Sequence, residues 1–85
     1  MTNTDPVLIE AAKSGDIGAL NRVLALSRQD LRRYAEYHCV VNDVEDAVQE
    51  TLLITARKIR QLRDASLLSS WLFRIVKREC NRYKR

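Results

Sequence analysis

Eighty-five residues leave room for one hydrophobic core, and 46% hydrophobic with 31% charged residues, two Gly and one Pro exclude a disordered or fibrous chain and favour helices. The net charge of +4 conceals a split: residues 1–56 hold five basic and nine acidic side chains (−4), residues 57–85 ten basic and two acidic (+8). The C-terminal end therefore calls for a polyanion, either nucleic acid or an acidic membrane surface, and the rest of the chain for some other partner.

Taken in order, Asp5-Pro6 reads as a helix start, with Pro6 at the first helical position where its missing N–H costs nothing; an apolar run over residues 7–12 follows, and Ser14-Gly15-Asp16 ends it. A second helical stretch puts Ile17, Leu20, Val23 and Leu24 on one side. It is expected to bend near Ser27, which would cap a segment with Leu31, Tyr34, Ala35 and His38 in register. Asn42 is the expected cap of a third helix, with Glu45 three residues on completing a capping box. After a loop over residues 61–65, Ser66 offers a cap for a fourth helix running to the C-terminus. There is no strand alternation and no internal repeat. The expected fold is all-α, a compact bundle of three to five helices in a single domain over residues 1–85.

The third helix has two unlike faces. At 100° per residue, Val44, Val48, Leu52, Thr55 and Ile59 form one stripe, the core seam of a bundle. The opposite face gathers Asp46, Gln49, Glu50, Leu53 and Arg57. Either this is a polar helix face with a stray leucine, or it is a docking patch with an apolar centre for a partner helix of basic rim.

In the fourth helix, Leu68, Leu72, Ile75, Val76 and Tyr83 make the apolar stripe, with Glu79 intruding. Arg74, Lys77, Arg78, Asn81, Lys84 and Arg85 gather on the other side, where a row of cations can neutralise phosphates and release counterions. A solvated basic face is the plain alternative. Trp71 and Phe73 stand at the start of this helix, where a stacking platform for unpaired bases would lie; on spacing alone Trp71 fits the core equally well.

Other function classes find no support. Cys39 and Cys80 lie far apart without a neighbouring Cys or His at metal-ligand spacing, so two buried thiols are expected rather than a zinc site or a disulfide. His38, the only histidine, is expected to pack between helices, and no nucleophile with a matching base is present. No catalytic activity and no cofactor are expected. No apolar stretch approaches the roughly 20 residues needed to cross a bilayer, and polar residues follow Met1, so a cytoplasmic protein without a membrane partner is expected.

Two strings at a fixed separation, VEDAVQET (residues 44–51) and LLSSWLFRIVKR (residues 67–78), resemble region 2 of bacterial sigma factors of the extracytoplasmic-function (ECF) group, and the likeness runs from about Ser14 to the end. The resemblance implies that Asp46, Gln49 and Glu50, with Leu53 on the same face, meet the β′ clamp helices of core RNA polymerase. It further implies that the fourth helix and the loop before it melt the minus-ten promoter element and hold its single-stranded non-template strand. A flipped base would sit against Leu62, Arg63, Asp64, Ala65 and Ser66, with Trp71 at the upstream edge and Arg74, Lys77, Arg78 and Asn81 along the backbone. Removing a base from the stack costs a few kcal/mol, which pocket contacts and phosphate neutralisation recover. An anti-sigma factor is the implied regulator.

The chain departs from the pattern in places. Many relatives read Phe-Arg-Gly where Leu62-Arg63-Asp64 stand, so an aromatic wall is lost, along with the residue most tolerant of a left-handed turn; Asp64 could adopt that turn only at some cost. Arg78 replaces an Asn suited to reading a base edge. No second, helix-turn-helix domain for the minus-thirty-five element follows Arg85, so a domain cut from a longer protein is expected, a natural single-domain regulator being the alternative. The rival function is an adaptor or decoy that binds polymerase without reading DNA.

Overall fold

The computed structural model describes residues 5–83. Among them are four α-helices, α1 (Pro6–Lys13), α2 (Ile17–His38), α3 (Val44–Lys58) and α4 (Leu68–Tyr83), and no strand. Short 3₁₀ turns, Val41–Asp43, Ile59–Gln61 and Ala65–Leu67, make the corners. At 1.5 Å per residue the 22 residues of α2 measure about 33 Å, which sets the 38 Å long axis of the bundle. The side chain of Tyr83 and residues 84 and 85 lie outside the described residues, and with them the expected extension of the apolar stripe to Tyr83 and of the basic face to Lys84 and Arg85.

The first corner follows the expected chemistry. Asp5 accepts a hydrogen bond from the Val7 N–H at 2.9 Å, and Pro6 occupies the first turn of α1. Gly15 ends that helix at φ +104°, a conformation that side-chain-bearing residues avoid. Asp16 then opens α2 by accepting from the Ala19 N–H at 3.0 Å. Ile17 does not join the packing side; it is exposed, leaving Ala19 and Val23 to face inward.

Four further expectations need correction. No bend occurs at Ser27: α2 is continuous, and Ser27 is buried on its inner face, its hydroxyl without a hydrogen-bond partner among the described residues. Uninterrupted inward spacing of Val23, Ser27, Leu31 and Ala35 carries the helix through, because burial of one continuous face outweighs the local tendency of Ser to cap. Asn42 caps nothing, since residues 41–43 form a 3₁₀ turn and α3 starts at Val44 without a side-chain cap. Glu45 is drawn instead to Arg28 and Arg32 of α2, two full charges outcompeting one backbone N–H. Before α4 the capping residue is Asp64, which accepts from the Ser66 N–H at 2.9 Å and holds the 3₁₀ turn that leads into the helix.

The fourth correction concerns the cysteines. Cys39, at the C-cap of α2, and Cys80 of α4 are joined in a disulfide across 41 residues of sequence, with Cα atoms 4.8 Å apart. Their separation in sequence conceals that the end of α2 packs against the last turns of α4.

Val23, Leu31, Val48, Leu72 and Val76 fill the centre, while Ala35 and Ala47, fully buried, let the helices approach closely. Thr51 and Thr55 sit in this apolar seam at no hydrogen-bonding cost, because their hydroxyls donate to the carbonyls of Ala47 and Thr51, both at 2.7 Å. His38, expected to pack between helices, is exposed instead, its ring 4.3 Å from that of Tyr34 one turn earlier on the same helix.

Candidate docking face and nucleic-acid groove

The outer face of α3 is built as the periodicity requires. With Val44, Ala47, Val48, Thr51 and Thr55 inward, Asp46, Gln49 and Leu53 are exposed and Glu50 is half-buried beside them. Leu53 keeps 48% of its surface in water, so an apolar centre does stand among carboxylate and amide groups. Arg28 reaches this face from α2: its guanidinium donates to Glu45 at 2.8 Å and to the Gln49 side-chain oxygen at 3.4 Å. Arg32 completes the bridge to Glu45. These arginines neutralise Glu45 within the fold and orient Gln49. The sequence carries a signal for this pairing, Arg28 and Arg32 four residues apart on one face of α2, but not for its partner.

Between α3 and α4 runs a cleft of about 300 Å³ lined by Ile54, Lys58, Gln61, Trp71, Arg74, Ile75 and Arg78. Trp71 is half-buried: it packs against the core, as one reading of its spacing expects, and also offers surface to the cleft. Arg74 and Arg78, four residues apart on α4, and Lys58 at the end of α3 converge on the same cleft. An indole wall with three cations is suited to a base and its flanking phosphates. Lys77 and Asn81 are exposed on α4 but do not line this cleft. Ile54, Lys58 and Gln61 are additions that sequence reading missed, because nothing in the spacing of α3 says which of its flanks meets α4.

Phe73 does not share the platform expected of it. Its ring stacks on Tyr34 at 4.5 Å and 11°, on the α2 side of α4, opposite to Trp71. Two residues apart on a helix point about 200° apart, so only one of the pair can face the cleft.

The loop before α4 divides in the same way. Leu62 and Ala65 are 4% and 8% exposed, so their side chains belong to the core and only backbone groups could reach a base there. Arg63, Asp64 and Ser66 are exposed, as is Leu67, a further apolar group at the mouth of the loop. Asp64 has φ −142°, extended rather than left-handed, so its replacement of a flexible residue introduces no strain. Its carboxyl is held below its ordinary value, first by the Ser66 N–H, then by the Ser66 hydroxyl; slight desolvation opposes this, and the Lys13 charge adds to it. The carboxylate therefore stays ionised and committed to the cap at the start of the Ala65–Leu67 turn.

Among the described residues no group of three or more His, Cys, Asp or Glu could hold a metal ion, and no helix is long and apolar enough to cross a membrane.

The known proteins to which this chain is similar are sigma factors. ECF RNA polymerase sigma-E factors of Haemophilus influenzae, Salmonella typhimurium and Escherichia coli K12 are each 29% identical over 80 residues, an alignment covering 94% of this chain. The chain spans 42% of the length of these relatives. The family model for sigma-70 region 2 matches residues 24–85, taking in most of α2 and all of α3, the loop and α4. Since that match includes both the outer face of α3 and the basic cleft beside α4, the chain belongs to the sigma-70 region 2 family.

Proposed function

We propose that this domain docks on core RNA polymerase through Asp46, Gln49, Glu50 and Leu53 of α3, and captures the melted non-template strand of the minus-ten element in the cleft between α3 and α4. The observation that carries this is the cleft itself, in which Trp71 lies among Lys58, Arg74 and Arg78. Leu53 of the docking face and Ile54 and Lys58 of the cleft are carried on the same helix, so a polymerase seated on one side of α3 fixes where a strand must pass on the other. Lys77 and Asn81 extend the phosphate track along α4, and Arg63, Asp64 and Ser66 border the loop where a flipped base would enter. Opening DNA in this way needs binding energy and no bond chemistry, so no catalytic group is required. The reading carries with it a cytoplasmic site of action beside polymerase and control by an anti-sigma factor.

The test is a competition series with single-stranded oligonucleotides, each position of the best-bound strand varied in turn, with and without core polymerase. One strongly preferred position, worth about 1–3 kcal/mol and altered by Ser66→Ala, supports promoter reading, since only groups touching a base change which base is chosen. The burial of Leu62 and Ala65 favours the rival reading, an adaptor that binds polymerase without reading DNA. Uniform affinity at every position, with polymerase present, supports that rival.

A further inference from the structure

We propose that Cys39 and Cys80 form a reversible oxidation site through which the thiol–disulfide balance of the cell controls the grip of α4 on nucleic acid. The inference rests on the functional reading above, because a protein working beside polymerase lives where small thiols keep most cysteines reduced, and a disulfide there is regulatory more often than structural.

The placement of the bond gives it leverage. Cys80 is buried on the inner side of the stretch of α4 whose exposed side carries Lys77, Arg78 and Asn81. Cys39 caps α2 and immediately precedes Val40 and the 3₁₀ turn leading to α3, a helix that begins without a side-chain cap. One bond thus ties the distal half of the basic helix to the junction from which the docking helix starts. Glu79, the buried residue beside Cys80, accepts from the exposed Arg82 at 3.1 Å, a contact within α4 itself, whereas the disulfide joins this stretch to another helix. With the bond open, the last turns of α4 fray, and the cations near them lose their fixed spacing.

The two sulfurs differ in access. Cys80 is 1% exposed and Cys39 is half-buried at a helix end, so a small thiolate of the glutathione class attacks Cys39 Sγ. The Cys39–Cys80 bond breaks, a mixed disulfide forms on Cys39, and Cys80 leaves as a thiolate that takes a proton from water. A second small thiolate attacks the small-molecule sulfur of that mixed disulfide, releasing the symmetrical small disulfide and free Cys39, so two small thiols are oxidised as the protein disulfide is reduced. Oxidised glutathione reverses both steps. No other cysteine competes, since these are the only two in the chain.

The experiment titrates the whole chain in buffers of reduced and oxidised glutathione. It follows alkylatable thiols by mass spectrometry, amide exchange in α4, and affinity for a fluorescent single-stranded oligonucleotide of mixed sequence. Expected are a single two-electron transition, a melting temperature more than 10 °C higher in the oxidised form, faster exchange at residues 77–83 on reduction, and a several-fold weaker affinity that returns on reoxidation. Cys39→Ala/Cys80→Ala should show the reduced affinity in every buffer; if that variant does not fold, the reversible titration of the parent decides. Two freely alkylatable thiols in the most oxidising buffer overturn the proposal. Nucleic-acid affinity that is present but equal in both redox states overturns it too, while leaving the proposed function standing. Absence of binding in both states removes the functional reading and this inference with it.

Discussion

Neutralising Arg74 and Arg78 isolates the electrostatic part of the proposed strand capture. Both side chains are exposed on α4 and line the cleft, so Arg74→Gln/Arg78→Gln removes two cations without opening a cavity, and the melting temperature should stay within a few degrees of the parent. Removing one cation from a phosphate of a bound single strand lowers the magnitude of the log–log salt slope by about 0.7, so the pair should lower it by about 1.4. Between about 50 and about 200 mM salt, the affinity of the variant should then fall about sevenfold less than that of the parent. Fluorescence anisotropy of a short labelled oligonucleotide, titrated at several salt concentrations, measures both slopes. A double variant with the parental slope, or one that loses affinity by the same factor at every salt concentration, would refute the assignment of these guanidinium groups to phosphate.

Three other outcomes test separate parts of the structure. Glu50→Lys places a cation on the outer face of α3 and should weaken association with core polymerase at least tenfold in a pull-down, with the far-ultraviolet circular dichroism spectrum unchanged. Ser27→Ala removes a buried hydroxyl that lacks a partner and should stabilise the domain by about 1 kcal/mol, read as a melting temperature several degrees higher; a lower value would place a hydrogen bond on that hydroxyl. Asp64 has a folded-state pKa below its unfolded one, so the stability it contributes is present above the unfolded value and is lost as pH falls through the folded value. Asp64→Asn should therefore make the acid limb of the melting-temperature profile shallower while leaving its shape at neutral pH unaltered; parallel acid limbs would show that the cap does not depend on charge.

Much of this molecule could be read from residues within four positions of one another. Asp5 and Pro6 announce α1, Gly15 its end, and the stripe through Leu68, Leu72, Ile75 and Val76 its counterpart in α4, because caps, turn conformations and helical faces depend on near neighbours. The outer face of α3 was legible for the same reason: once Val44, Val48 and Thr55 face inward, Asp46, Gln49 and Leu53 must face out. What periodicity does not contain is which face meets which. Cys39 and Cys80 join, Glu45 leaves a local cap for Arg28 and Arg32, and Lys58 and Gln61 line the cleft beside Trp71, each through a pairing between helices. Ser27 and Asn42 have local capping tendencies worth about 1 kcal/mol; in α2 this yields to a continuous buried helix face, and before α3 the chain enters through a 3₁₀ turn over residues 41–43 while Glu45 pairs with Arg28 and Arg32. Leu62 and Ala65 likewise turn inward because the turns beside them, Ile59–Gln61 and Ala65–Leu67, pack against α1, a pairing that the residues of the loop do not announce.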